Sequence, residues 1–162
     1  MSQLPASAPE KAGEAFAHIN AVVSPTIDDL KLMVFIEASG LAAYHELAKA
    51  APSAEIRALL EANGREELAH AHRVAKVIRI LTGEDFPPPA PEDNRYVRPI
   101  GRALDRDLLN GLAAVEDNGD TLYQTWAENI GNAEAAELLR QNGKEELRHG
   151  ERAKQAAQLL PA

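Results

Sequence analysis

Glu66-Glu67-Leu68-Ala69-His70 returns 79 positions later as Glu145-Glu146-Leu147-Arg148-His149. A Glu and a His three apart share one face of a helix, about one turn from each other, and such a pair can supply half of a metal site. A single Glu-x-x-His arises readily by accident in Glu-rich helices, so its meaning rests on what surrounds it. Sliding the chain against itself by 79 positions aligns residues 37 to 73 with 116 to 152 without a gap, and 15 of the 37 positions are identical. That is well above what this composition gives by chance, and it points to an internal duplication. The identities include Glu37/Glu116, Gly40/Gly119, Tyr44/Tyr123, Asn63/Asn142, Glu66/Glu145, Glu67/Glu146, His70/His149 and Arg73/Arg152.

Helix signals frame the repeat. Residues 1–24 read as an N-terminal arm with a short helix expected between Pro9 and Val22. Thr26, with Asp29 three residues on, caps a helix that carries Leu30, Val34, Ile36, Leu41 and Leu47 to about Ala50. Pro52 stops it, and Ser53 caps a second helix that runs to Thr82-Gly83. Five of the ten prolines then fall between Glu84 and Pro99, so residues 83 to 104 read as an extended linker. Helix resumes near Asp105, breaks at Gly131-Asn132, and continues to about Leu160. The expectation for residues 25–162 is therefore an all-α four-helix bundle made of two hairpins.

Neighbouring antiparallel helices need only about 2 to 8 connecting residues, so the linker is expected to run the length of the bundle. Extended, it reaches roughly 60 Å at 3.1 Å per residue, against roughly 40 Å for a helix of its neighbours' length. Glu37 and Glu67 are equidistant from Pro52, and Glu116 and Glu146 from Gly131. Residues equidistant from a hairpin turn lie level, so each hairpin sets one lone Glu beside one Glu-x-x-His. Face to face, the two hairpins collect four carboxylates and two imidazoles at mid-bundle. Unneutralised, such a cluster is costly in a poorly solvated core, and two divalent cations relieve it. Oxygen-dominated ligation with one nitrogen per metal suits iron, with manganese as the alternative, better than copper.

The pattern of Glu37, Glu67-Leu68-Ala69-His70, Glu116 and Glu146-Leu147-Arg148-His149 resembles the ferritin-like di-iron carboxylate superfamily, and within it the rubrerythrin and bacterioferritin branch. The resemblance covers about residues 26 to 160. It implies terminal ligation by Glu37 and Glu116, bridging by Glu67 and Glu146, and one imidazole for each metal from His70 and His149. It also implies an oxidoreductase of peroxidase or ferroxidase type acting on hydrogen peroxide or dioxygen. A di-iron hydroxylase or a dimanganese catalase is the second reading, and a non-catalytic metal-binding interaction module the third. Two departures stand out. The chain has no cysteine, so the rubredoxin module of rubrerythrins is missing and a separate protein is expected to donate electrons. The carboxylate that rubrerythrins carry one turn after the third Glu is Gly119 here.

Tyr44 and Tyr123 follow Glu37 and Glu116 by seven residues, on the same face, where a hydroxyl can hydrogen-bond a ligand carboxylate or simply be a satisfied core phenol. Gly40 and Gly119 either leave room for the oxidant or permit close helix packing. Asn63 and Asn142 precede the repeated glutamates by one turn and can orient a ligand. Arg73 and Arg152 are expected to pair with Glu66 and Glu145 on their own helices, in exposed contacts of little value. His18, His45 and His72 read as surface or packing residues. A net charge of −8 with scattered basic residues argues against nucleic acid as a partner. No apolar run is long enough for a bilayer, no secretory signal is visible, and a cytoplasmic location and a homodimer are expected.

Overall fold

The computed structural model describes residues 2–161 and contains five α-helices: α1 (Ala12–Ala21), α2 (Ile27–Ala50), α3 (Ala54–Thr82), α4 (Arg106–Asn129) and α5 (Ala133–Leu159). No strand occurs among the described residues. Each long helix begins on a side chain that satisfies an otherwise orphaned backbone N–H. Thr26 and Asp29 form a reciprocal capping box at α2, and Ser53, Asp105 and Asn132 accept from Ile56, Leu108 and Ala135 at α3, α4 and α5. Gly83 ends α3 at φ 78° and Gly131 turns α4 into α5 at φ 70°, a left-handed region that a Cβ disfavours.

Two apolar clusters occupy opposite ends of the bundle. One gathers Leu30 from the start of α2, Val77 and Ile78 from the end of α3, Trp126 from the end of α4 and Leu139 from the first turns of α5. The other gathers Leu47, Ile56, Leu60, Leu109 and Ala156, which come from the opposite termini of the same helices. The two hairpin turns thus lie at opposite ends. The segment between α3 and α4 runs from the first cluster, at Phe86 and Tyr96, to the second, at Ile100 and Leu104, as a crossover along the bundle.

The crossover is not uniformly extended, because Pro91–Asp93 forms a single 3-10 turn. It is pinned by Asn94, whose side-chain amide donates to the Phe35 carbonyl at 2.7 Å, and by the Tyr96 hydroxyl, which donates to the Pro9 carbonyl at 2.6 Å. Helix α1 begins three residues later than the sequence suggests. It is tied to the bundle by the Trp126 indole N–H on the Val22 carbonyl and by His18 on Asp29 at 2.6 Å, so His18 is anchored and not merely a surface residue.

The packing is unequal. α2 packs on α3, α4 on α5, and the hairpins meet chiefly through α3 and α5, whereas α2 and α4 scarcely touch. Between the apolar ends lies a buried polar layer of Glu37, Asn63, Glu67, His70, Glu116, Asn142, Glu145, Glu146 and His149. No helix among the described residues is long and apolar enough to cross a membrane.

Candidate metal centre

The six residues predicted from spacing converge in the buried layer. Glu37, His70 and Glu146 bring one ligand atom each within 4.8 Å of one another, as do Glu67, Glu116, Glu146 and His149. Glu67 also groups with both histidines, so Glu67 and Glu146 lie between the two halves of the cluster. His70 and His149 stack with ring centroids 5.0 Å apart, related by the pseudo-symmetry of the duplication.

Both imidazoles turn Nδ1 inward. His149 Nδ1 lies 3.1 Å from Glu67 and 3.4 Å from Glu146. His70 Nδ1 lies 3.1 Å from Glu146 Oε1 and 3.5 Å from Glu37 Oε2, yet neither approach has hydrogen-bond geometry, and among the described residues this nitrogen and Glu146 Oε2 have no partner. Buried polar atoms are ordinarily paired. A nitrogen aimed between carboxylates rather than at one of them fits a donor set built for a cation, as does the surplus of acids.

The outward ring nitrogens explain why the glutamate before each Glu-x-x-His is repeated. His70 Nε2 meets Glu145 at 3.1 Å and His149 Nε2 meets Glu66 at 3.1 Å. An ionised carboxylate can only accept, so Nε2 carries a proton, and a cation that displaced the proton on Nδ1 would meet the lone pair of a neutral ring there. Arg73 in turn holds Glu145, with contacts at 2.8 and 3.0 Å, and Arg152 holds Glu66 at 2.9 and 3.1 Å. The expected arginine pairs on one helix are therefore corrected. Each arginine reaches the glutamate of the opposite hairpin, because α3 and α5 run side by side, and the contacts are partly buried.

Other repeated residues also act across the hairpins. The Tyr44 hydroxyl donates to Glu116 and the Tyr123 hydroxyl to Glu37, joining α2 to α4 where the helices themselves do not pack. Asn63 donates to the His149 carbonyl at 3.1 Å and Asn142 to the His70 carbonyl at 3.3 Å, fixing backbone rather than side chain. Gly40 and Gly119 make room for a glutamate: an added Cβ would come within 2.7 Å of Glu67 Oε2 at the first and 3.1 Å of Glu146 Cγ at the second. His72 and His45 are exposed, as expected.

Without cations the cluster must keep protons. Burial and the charge of Glu146 push the Glu67 carboxyl up to about 8, and burial with Glu67 and Glu146 beside it raises Glu116 well above the carboxylate range. Burial opposes ionisation of Glu146 too, but the His149 and His70 rings facing it hold it down at about 2. Burial alone would lower His149, but Glu146 and Glu67 raise it to about 9. Burial, and then Glu116 and Glu37 respectively, push the Tyr44 and Tyr123 phenols well up, so both stay protonated as donors.

A helical bundle in this arrangement, carrying Glu/His clusters that can bind metal, is a ferritin-like bundle. The chain belongs to the rubrerythrin family, whose model matches residues 28–157. Membership implies a di-iron centre. No curated protein and no solved structure matches the chain.

Proposed function

We propose that the protein is a di-iron oxidoreductase reacting with hydrogen peroxide or dioxygen, in the manner of a peroxidase or ferroxidase. Glu37 and His70 would hold one iron, Glu116 and His149 the other, and Glu67 and Glu146 would bridge them. The observation that carries this reading is the convergence of the six side chains with His70 Nδ1 left unpaired among carboxylates. When bound, the two ions supply redox equivalents and a place for the oxidant.

The chain's own residues perform the remaining tasks. Glu145 and Glu66 fix the orientation and tautomer of the imidazoles. The Tyr44 and Tyr123 hydroxyls donate hydrogen bonds to Glu116 and Glu37 and so hold these two carboxyl groups, which line the gap between α2 and α4, in place. That gap admits small molecules from one side, while the apolar clusters exclude water from both ends of the bundle. Electrons would come from a separate donor protein.

Metal analysis of protein made in cells supplied with iron and manganese is expected to give two irons per chain. Peroxide added to the reduced protein is then expected to produce the near-ultraviolet absorption of ferric iron at a rate that saturates with peroxide. Two metals with no oxidation would instead favour a non-catalytic metal-binding module. A Glu67→Ala variant that still held two metals would overturn the ligand assignment.

A further inference from the structure

The gap between α2 and α4 is larger and more apolar than a peroxide channel requires. It forms a cavity of about 300 Å³ whose inner end is made by Glu37, Glu67, Glu116 and Glu146. Its walls are Met33 and Ile36 from α2 and Leu112, Val115 and Leu122 from α4. Hydrogen peroxide and dioxygen have two heavy atoms each. At roughly 30 Å³ per small heavy-atom group, the space accommodates about ten. The rim keeps large apolar side chains in water, with Val115 52 % and Phe16 40 % exposed, although both border the cavity.

One cation stands in this lining. Arg98, an exposed residue, reaches the cavity from the crossover, and among the described residues no ion pair or hydrogen bond of its guanidinium is found. Every other charged group lining the cavity is one of the four glutamates at the inner end. The cavity is therefore polarised: an acidic floor that the metals would neutralise, apolar walls, and the exposed Arg98. Guanidinium groups pair with carboxylates through two parallel hydrogen bonds, and apolar walls reward a hydrocarbon body.

We propose that this cleft binds a small organic monocarboxylate of about ten non-hydrogen atoms. Its carboxylate pairs with Arg98 and its apolar body lies along α2 and α4 towards the glutamate cluster. The inference deepens the proposed function and rests on it only for the presence of metal at the inner end. An amine is disfavoured at Arg98, and a neutral alcohol of the same length gains the walls without the ion pair.

The test uses iron-loaded protein with its metal content measured, titrated calorimetrically with octanoate, 1-octanol, octylamine and acetate. Octanoate is expected to bind at least tenfold more tightly than octanol and octylamine. Arg98→Gln should remove that advantage while leaving octanol binding unchanged, and Phe in place of Ala43, which lines the cavity from α2, should fill it and weaken both (Ala43→Phe). Octanoate that bound no better than octanol, or that Arg98→Gln left unaffected, would overturn the proposal. So would acetate binding as tightly as octanoate, since that marks capture of a carboxylate by the metals alone. Protein that holds two irons and consumes peroxide but ignores octanoate would remove this inference and leave the centre standing. Protein that binds octanoate without retaining iron would do the reverse.

Discussion

At the scale of single residues, the histidines are set by groups that do not belong to the cluster they face. His70 comes from α3, but Glu145, which fixes its outer nitrogen, and Asn142, which holds its carbonyl, come from α5. Losing a carboxylate that orients a ligating imidazole typically costs about 10- to 100-fold in metal affinity. Glu145→Ala should therefore weaken iron binding by that order in competition titrations with a chelator, with all six clustered side chains still present. The glycines give a second expectation. Gly→Ala inside a helix ordinarily stabilises by up to about 1 kcal/mol, but here the new methyl meets Glu67 at 2.7 Å from Gly40 and Glu146 at 3.1 Å from Gly119. Gly40→Ala should thus displace its glutamate and reduce bound metal more than Gly119→Ala does, as read by metal content and melting temperature. Equal effects would mean that both glutamates yield freely.

At the scale of elements, the capping box at α2 reaches beyond its own helix. Asp29 accepts from Thr26 and also from His18 of α1, so one carboxylate starts α2 and fastens α1 to it. Burial pushes this acid up, but the hydrogen bonds from Thr26 and His18 outweigh it and hold its pKa below the ordinary value of 3.8. A carboxyl depressed in the folded state contributes stability above its unfolded pKa and loses it as pH falls through the folded one. Asp29 should therefore steepen the loss of stability below about pH 4. Denaturant melts of Asp29→Asn as a function of pH are expected to show lower stability at neutral pH and a shallower acid limb.

For the whole molecule, the two hairpins are joined by a layer that repels itself unless it is neutralised. Packing between them runs mainly through α3 and α5, while α2 and α4 are linked by two tyrosine–glutamate hydrogen bonds. Cations bound across this layer stabilise only the folded state, by about 2.7 kcal/mol at a free concentration 100 times the Kd. Chelation should accordingly lower the melting temperature by about 5 to 10 °C for a chain of this size, and iron should restore it. A melting temperature indifferent to chelator would show that the layer is held by its own protons.

The sequence by itself determined the helices, the hairpins and the level of the six clustered residues, because caps, prolines and helical spacing are local and a duplication doubles every signal. Thr26, Ser53, Asp105 and Asn132 start helices by contacts within three residues, and the equal distances of Glu37 and Glu67 from Pro52 follow from the rise of a helix. Which hairpin each outer group serves was decided only in the tertiary structure. Arg73, Tyr44, Asn63 and Glu66 all act on the opposite hairpin, and a repeat in which both copies carry the same residue cannot distinguish a contact within a copy from one between copies. The repeated Glu66/Glu145 and Arg73/Arg152 identities were the available signal that these residues matter. Their roles depend on α3 lying beside α5 while α2 stands away from α4, which also leaves the cleft between α2 and α4 open. That asymmetry comes from packing between hairpins, where no spacing along the chain reports it.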